Sequence, residues 1–306
     1  MKIRLRVDES VEEGIQRIAK TYIQRSIDDL SDPRLDRTEV VHDVRKRCKM
    51  IRGMLRMVRP AIGDAYDLEN VWFRDASRKL SGLRDADATL EAFDLLRQHS
   101  AHSLPRKFMD RVNKVLAKRS EVASTGPLDW QPFFTEAIQE MQAALDRVPQ
   151  WTCADEGFAA IGPGFAKTYR RGARAMQAAR REPTDEHLHD WRKHAKYQWY
   201  QVLMLRDLSK SKLSIRAKQL KRLTDLLGDD HDLVVLHQLL TQHPDFEKLR
   251  GAKAFGKLMQ SIDRRRAKLQ KQARKLGKRL YATSSKKFTN RLEQAWEAWR
   301  SVEPVG

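Results

Sequence analysis

Three His-Asp pairs have the residue types to do chemistry together: His42-Asp43, His189-Asp190 and His231-Asp232. Imidazole and carboxylate are both divalent-metal ligands, and a metal so held can activate water for phosphate hydrolysis. The neighbours of the first two pairs point elsewhere. After His42-Asp43 come Arg45, Lys46, Arg47, Lys49, Arg52, Arg56 and Arg59, seven cations with no acid among them. After His189-Asp190 come Arg192, Lys193 and Lys196. Such surroundings repel a metal ion. The first pair also has no histidine before it, and adjacent helical side chains diverge by about 100°, which places them poorly as joint ligands. An HD-type metal-dependent phosphohydrolase is therefore the lesser reading, with no catalytic residue, metal or cofactor expected.

The cations themselves form a pattern. Turning 100° per residue from His42, the residues His42, Arg45, Lys49, Arg52 and Arg56 fall within a sector of roughly 80°, while Val44, Cys48, Ile51 and Leu55 occupy a different sector, centred roughly on the 200° direction. The helix that carries them has a core face and a cationic face. Solvated helix faces usually interleave opposite charges at i,i+4, and like charges at that spacing cost a few tenths of a kcal/mol per pair. A one-signed stripe therefore favours an anionic ligand over a merely solvated face. Arg192, Lys193 and Lys196 repeat the stripe in reduced form, with Trp199 and Leu203 where Arg52 and Arg56 would stand and with Lys218, Lys221 and Arg222 restoring charge on the next helix. His42 and His189 are either donors to the anion or satisfied interface residues. Asp85 and Asp232 are expected to bind arginine or cap a helix. A third basic stretch, from Arg264 to Lys287, has no acid and sets Arg264, Lys268, Lys271, Lys275 and Lys278 on one face. It is either a second binding surface or a solubility face.

The elements that position these residues come in two copies. An offset of 147, which carries position 42 onto 189, superposes Ala19-Lys20-Thr21-Tyr22 on Ala166-Lys167-Thr168-Tyr169. The same offset superposes the segment from His42 to Lys49 on that from His189 to Lys196, with five of eight residues identical, and sets Leu80 and Asp85 on Leu227 and Asp232. Apolar residues recur at spacings of three and four in both copies, and no stretch alternates with period two. Breaks at Ser31 to Pro33, Pro60 to Asp64, Ser100 to Pro105, Ser124 to Pro127, Pro183, Ser209 to Ser214 and Pro244 divide each copy into about four helical segments. The expected fold is all-α: two four-helix bundles related by a pseudo-twofold, over 1–150 and 151–306, with the junction around Pro149 to Gly164 and Gly162-Pro163-Gly164 as a turn.

Composition agrees. Over 306 residues, 41% hydrophobic content suffices for a core, and 14 Gly with 10 Pro are too few for a linker-rich chain. Lys plus Arg number 60 against 41 Asp plus Glu, a net +19 that calls for an anionic partner. No run approaches a membrane span, and the start MKIRLRVDES has no apolar signal core, so a soluble, cytoplasmic protein is expected. Cys48 and Cys153 lack CxxC spacing and read as buried thiols. Phosphate-loop, GxSxG and HExxH motifs are absent.

Four blocks carry a resemblance. They are His42-Asp43-Val44-Arg45-Lys46 continuing through Lys49, Arg52 and Arg56; Leu80-Ser81-Gly82-Leu83-Arg84-Asp85; His189-Asp190-Trp191-Arg192-Lys193 continuing through Lys196 and Tyr200; and Leu226-Leu227-Gly228-Asp229-Asp230-His231-Asp232. In order and spacing they resemble the CHAD family, the conserved histidine α-helical domain. The resemblance implies two four-helix bundles about a basic central groove that binds inorganic polyphosphate without catalysis. It implies His42, Arg45, Lys49, Arg52 and Arg56 as ligands in the first copy, and His189, Arg192, Lys193 and Lys196 in the second. Lys46, Arg74 and Arg78, and in the second copy Lys218, Lys221 and Arg222, complete the expected set. Trp199 departs from the family pattern, which usually has a basic residue there.

Nucleic acid is the secondary partner, since it too is a phosphate polyanion. It usually rewards aromatic platforms, whereas the first stripe has only Met50, Met54 and Met57 beside it, and Trp191, Tyr197, Trp199 and Tyr200 read as core or interface. A homodimer and association with polyphosphate granules stay open at this stage.

Overall fold

The computed structural model describes residues 3–80, 85–99, 104–125 and 130–301, and of 85–87 and 123–125 only the backbone. Among these residues there are α-helices and short 3-10 turns and no strand. The first half holds α1 (Val11–Ser31), α2 (Arg37–Val58), α3 (Ala65–Lys79), α4 (Asp85–His99), α5 (Arg106–Thr125) and α6 (Trp130–Arg147). The second holds α7 (Gly157–Arg181), α8 (Asp185–Met204), α9 (Lys210–Gln242), the short α10 (Glu247–Arg250), α11 (Lys253–Leu280) and α12 (Ser285–Arg300). Side chains fix several starts. Ser10 and Glu13 form a reciprocal capping box on α1, and Asp36, Thr184 and Ser284 accept from the first turns of α2, α8 and α12. No helix among the described residues is long and apolar enough to cross a membrane.

Four helical segments per copy undercounts the structure. Prolines mark most of the breaks, but the interruptions after Lys79 and after Leu280 contain none, so periodicity alone runs through them. Moved by 147 positions, α1 falls on α7 and α2 on α8, whereas α3 and α4 both fall on the single 33-residue α9. Residues 81–84, which contain most of the second signature block, lie outside the described residues, as does the Asp85 side chain.

The Gly162-Pro163-Gly164 turn is also corrected: all three lie inside α7. Proline in a helix interior loses a backbone bond and ordinarily costs about 3 kcal/mol. What holds α7 together around it is packing. Ile161 and Phe165 are fully buried, and a Cβ on Gly164 would stand 1.9 Å from the Met57 carbonyl oxygen of α2. Glycine is thus required for two helix backbones to touch. A second close approach joins α2 to α8, where a Cβ on Gly53 would meet the Tyr200 ring at 3.1 Å. Residues 53 and 200 are one offset apart, so this crossing brings equivalent positions together.

The junction between the copies is tied down. The Ala154 N–H donates to the Ala61 carbonyl at 2.9 Å, Cys153 N–H to the Glu12 carboxylate at 2.7 Å, and Gln16 to the Trp151 carbonyl at 3.1 Å. Cys48 is buried, as expected, and burial pushes its thiol up to about 12. Cys153 is only half-buried, because its segment runs over the surface of α1. One apolar cluster runs from Ile3 to Trp296 through both halves.

Replacing Gly164 by alanine should separate α7 from α2. The expected loss is about 2 kcal/mol, a fall in Tm of roughly 3 °C, despite the ~1 kcal/mol that alanine gains over glycine in a helix. Gly251→Ala, at a position with open space around the new methyl, should leave Tm nearly unchanged in the same thermal melt.

Candidate anion-binding site

The two cationic stripes meet. A cavity of about 640 Å³ is lined by Arg45, Lys49, Arg52 and Arg56 of α2, by Arg74, Ser77 and Arg78 of α3, and by Arg171 of α7. Its other wall is His189, Arg192, Lys193, His194, Lys196, Tyr197 and Tyr200 of α8, with His231 of α9. No carboxylate among the described residues lines it. Lys49 and Lys196, equivalent under the offset, are close enough for each to disfavour the other's charge.

Neutral groups hold the arginines in place. Arg45 donates from Nη1 to the Ser77 carbonyl at 2.7 Å, in the last turn of α3, where the helix dipole favours a cation. Arg52 Nε donates to Asn70 Oδ1 at 3.3 Å, and Arg56 donates to the same oxygen. The Arg56 guanidinium lies 4.2 Å from the Tyr197 ring centroid, a cation–π contact. Asn70 and Tyr197 orient the Arg52 and Arg56 guanidinium groups without neutralising them. Arg74 differs, since Asp75 grips it through two bonds of 2.8 Å. Gly228 leaves room for Arg192 to lie across α9, a Cβ there falling 3.4 Å from Nε. Three buried polar atoms of lining residues, the Tyr200 hydroxyl, Arg192 Nε and Arg56 Nε, have no hydrogen-bond partner among the described residues.

Burial, reinforced by crowding of like charge, depresses the bases. Burial, then Arg192 and Lys49, bring Lys196 down to about 7, against a smaller opposing effect of Asp225. Burial also lowers His189 and His231, whose rings stand 5.0 Å apart, with Arg192 adding to both shifts. Burial takes His194 down to about 4 although Asp190 favours its charged form. Burial likewise lowers Arg52 from its ordinary value, with Arg56 and Arg74 contributing.

Of the residues expected from sequence, Arg45, Lys49, Arg52, Arg56, Arg74, Arg78, His189, Arg192, Lys193 and Lys196 line this cavity. His42, half-buried a turn earlier on α2, does not, nor does Lys46, which is exposed and lies 3.5 Å from Asp43. Lys218, Lys221 and Arg222 line a neighbouring cavity between α8 and α9, together with Trp199. Arg171, Ser77, His194, Tyr197, Tyr200 and His231 also line the site without having been expected there. Tyr200 and His231 left a signal: both belong to signature blocks, and the offset pairs His231 with Arg84, whose place in the fold lies outside the described residues.

The His-Asp pairs are engaged otherwise. Asp43 faces Lys46 and Arg47, and Asp190 pairs with Lys193 and lies 3.6 Å from His194. No group of three His, Cys, Asp or Glu among the described residues could hold a metal ion. Asp230, buried, takes a structural arginine-binding role, with Arg266 Nε at 3.2 Å and Gln270 at 3.0 Å. On α11, Lys268, Lys271, Lys275 and Lys278 are exposed, opposite the buried Leu269, Ala273 and Leu280.

A family model described as the CHAD domain matches residues 22–241. Among solved structures, PptA from Streptomyces chartreusis aligns with a TM-score of 0.53 at 16% identity, covering 94% of this chain and 98% of its own. That likeness bears on the fold. No curated protein matches the chain.

Lys196 makes anion binding proton-linked. A bound anion raises its pKa, so the complex holds more protons than the free protein and affinity falls as pH rises through 7. The expected loss approaches tenfold per pH unit for one fully linked proton. His189 and His231, lowered from the usual histidine value, add further tightening below pH 6.5. Calorimetric titration of a polyanion in buffers of different ionisation heat should show net proton uptake at pH 7.5, and Lys196→Arg should flatten the profile above pH 7 by keeping its charge.

Proposed function

The chain belongs to the CHAD family, and from that premise we propose that it is a non-catalytic receptor for inorganic polyphosphate. One observation carries this reading: both repeats contribute cations to a single cavity whose described lining contains ten Lys and Arg and no carboxylate. Such a concentration of like charge attracts an anion, and walls of low dielectric focus its potential. We read the copies as two bundles about a pseudo-twofold, with the Gly53–Tyr200 crossing near the axis, which makes the cavity the shared central groove.

Polyphosphate suits the lining physically. It is a linear chain of charge with no bases, and it requires only cations at intervals. Arg45 to Arg56 spans eleven residues of helix, about 16 Å at 1.5 Å each, long enough to meet several consecutive phosphates. Arginine forks two phosphate oxygens and lysine acts as a point charge.

Nucleic acid fits less well. The two tyrosines of the lining are both occupied: Tyr197 lies under Arg56, and Tyr200 packs on Gly53. Neither offers an open face on which a base could stack. Hydrolysis is disfavoured because the aspartates of the first two His-Asp pairs already face cations. The same reading would bring the protein to polyphosphate granules in the cytoplasm.

Competition at fixed salt, with long polyphosphate set against single- and double-stranded nucleic acid, tests this directly. Polyphosphate should win. Arg45→Ala combined with Arg192→Ala should weaken it roughly 100-fold, since each charge-assisted contact contributes about 1.5 kcal/mol or more. The slope of log affinity against log salt should become shallower by about 1 to 2. Preference for nucleic acid, or unchanged affinity in the double variant, would refute the assignment.

A further inference from the structure

The cavity between α8 and α9 has a different chemistry from the site beside it. Its volume is about 720 Å³, and its floor includes Trp199, Leu203 and Ala217. The offset of 147 sets Trp199 on Arg52 and Leu203 on Arg56, so where one copy presents two guanidinium groups the other presents an indole and an isobutyl group. The cations on its rim do not all have partners. Arg4 is paired with Asp207 at 2.7 Å and Lys221 with Asp225 at 2.8 Å, whereas Lys210, Lys218 and Arg222 form no ion pair among the described residues and are exposed. A chain of bare phosphates gains nothing from an apolar floor. An anion that also carries a flat apolar group uses both halves of this lining.

We propose that this cavity binds a nucleoside polyphosphate, with the base against Trp199 and Leu203 at the end where Lys221 and Arg222 stand, and the phosphates along Lys218 and Lys210. The layout has a direction. The Lys221 ammonium lies 5.9 Å from the Trp199 ring centroid, which fixes one end, and Arg206 and Lys210 stand at the other. From Lys221 back to Lys210 is eleven residues of helix, about 16 Å, enough for a base followed by an extended phosphate chain. That chain ends at the N-terminus of α9, whose dipole favours negative charge, and the cap residue Ser209 makes no side-chain cap bond there. Trp199 is half-buried, packed on the core and on Tyr200 at a centroid distance of 5.1 Å, so it is held rigidly while still lining the cavity. The proposal is independent of the polyphosphate assignment, since it uses none of the residues of the first cavity.

Binding of ATP and of inorganic tripolyphosphate, which has the same phosphate number and no base, separates the two chemistries. At fixed salt, ATP should bind the Arg45→Ala/Arg192→Ala protein as it binds the wild type. Trp199→Ala should weaken ATP about tenfold, within the range found when one base loses its aromatic partner, and leave tripolyphosphate unchanged. Trp199→Arg, which restores the residue of the first copy, should lose ATP and keep tripolyphosphate. Because Trp199 also packs, Lys218→Glu/Arg222→Glu at exposed positions provides a second route and should weaken ATP at least tenfold without lowering Tm. Absence of saturable ATP binding, ATP affinity indifferent to Trp199 and to Lys218 with Arg222, or loss of ATP in the Arg45/Arg192 variant would each overturn the proposal.

Discussion

The site depends on how closely α2 approaches α7 and α8. Gly164 lets the backbone of α7 touch the Met57 carbonyl, and Gly53 lets α2 seat against Tyr200. Without these approaches the two cationic faces would stand apart as ordinary solvated surfaces. With them, Lys196 is buried beside Arg192 and Lys49, and the cost appears in its depressed pKa. Apolar burial on the far sides of the same helices, including Val44, Cys48, Ile51, Trp191 and Ala195, offsets that cost and holds like charges together.

The orientation of the arginines follows the same logic. A carboxylate partner would fix a guanidinium and neutralise it. Asn70 and Tyr197 fix Arg52 and Arg56 while leaving their charge for a ligand, and the Ser77 carbonyl holds Arg45. The divergence of the copies then becomes meaningful. Trp199 and Leu203 give the α8–α9 side an apolar lining where the α2–α3 side is ionic, so positions related by the offset line two unlike cavities.

Much of this was legible in the sequence because it is periodic. The stripe from Arg45 to Arg56 and its partner from Arg192 to Lys196 follow from a 100° turn per residue, and the offset of 147 announces that equivalent faces exist. The all-α fold was legible for the same reason. Helix number was not, because the breaks near residues 80 and 281 carry no proline and periodicity does not register them. Gly162-Pro163-Gly164 reads locally as a turn, yet it lies within a helix because only the tertiary contact with Met57 explains it. Lys218, Lys221 and Arg222 share the right charge and helix, but the rotation of α9 sends them to another cavity. Arg171 reaches the site from a helix that the sequence marks only as a repeat of α1. The basic face of α11 is amphipathic as read, its cations exposed and its leucines buried, and no ligand is assigned to it.

Central to the account is that the two repeats together build one polyphosphate site rather than one each. Calorimetric titration with polyphosphate of defined length on the wild type, Lys49→Ala and Lys196→Ala tests it most directly, because the two lysines sit at equivalent positions in different copies. The account predicts a single class of site in all three proteins, weakened by either substitution. Two classes in the wild type, with each substitution abolishing one and leaving the other intact, would contradict it.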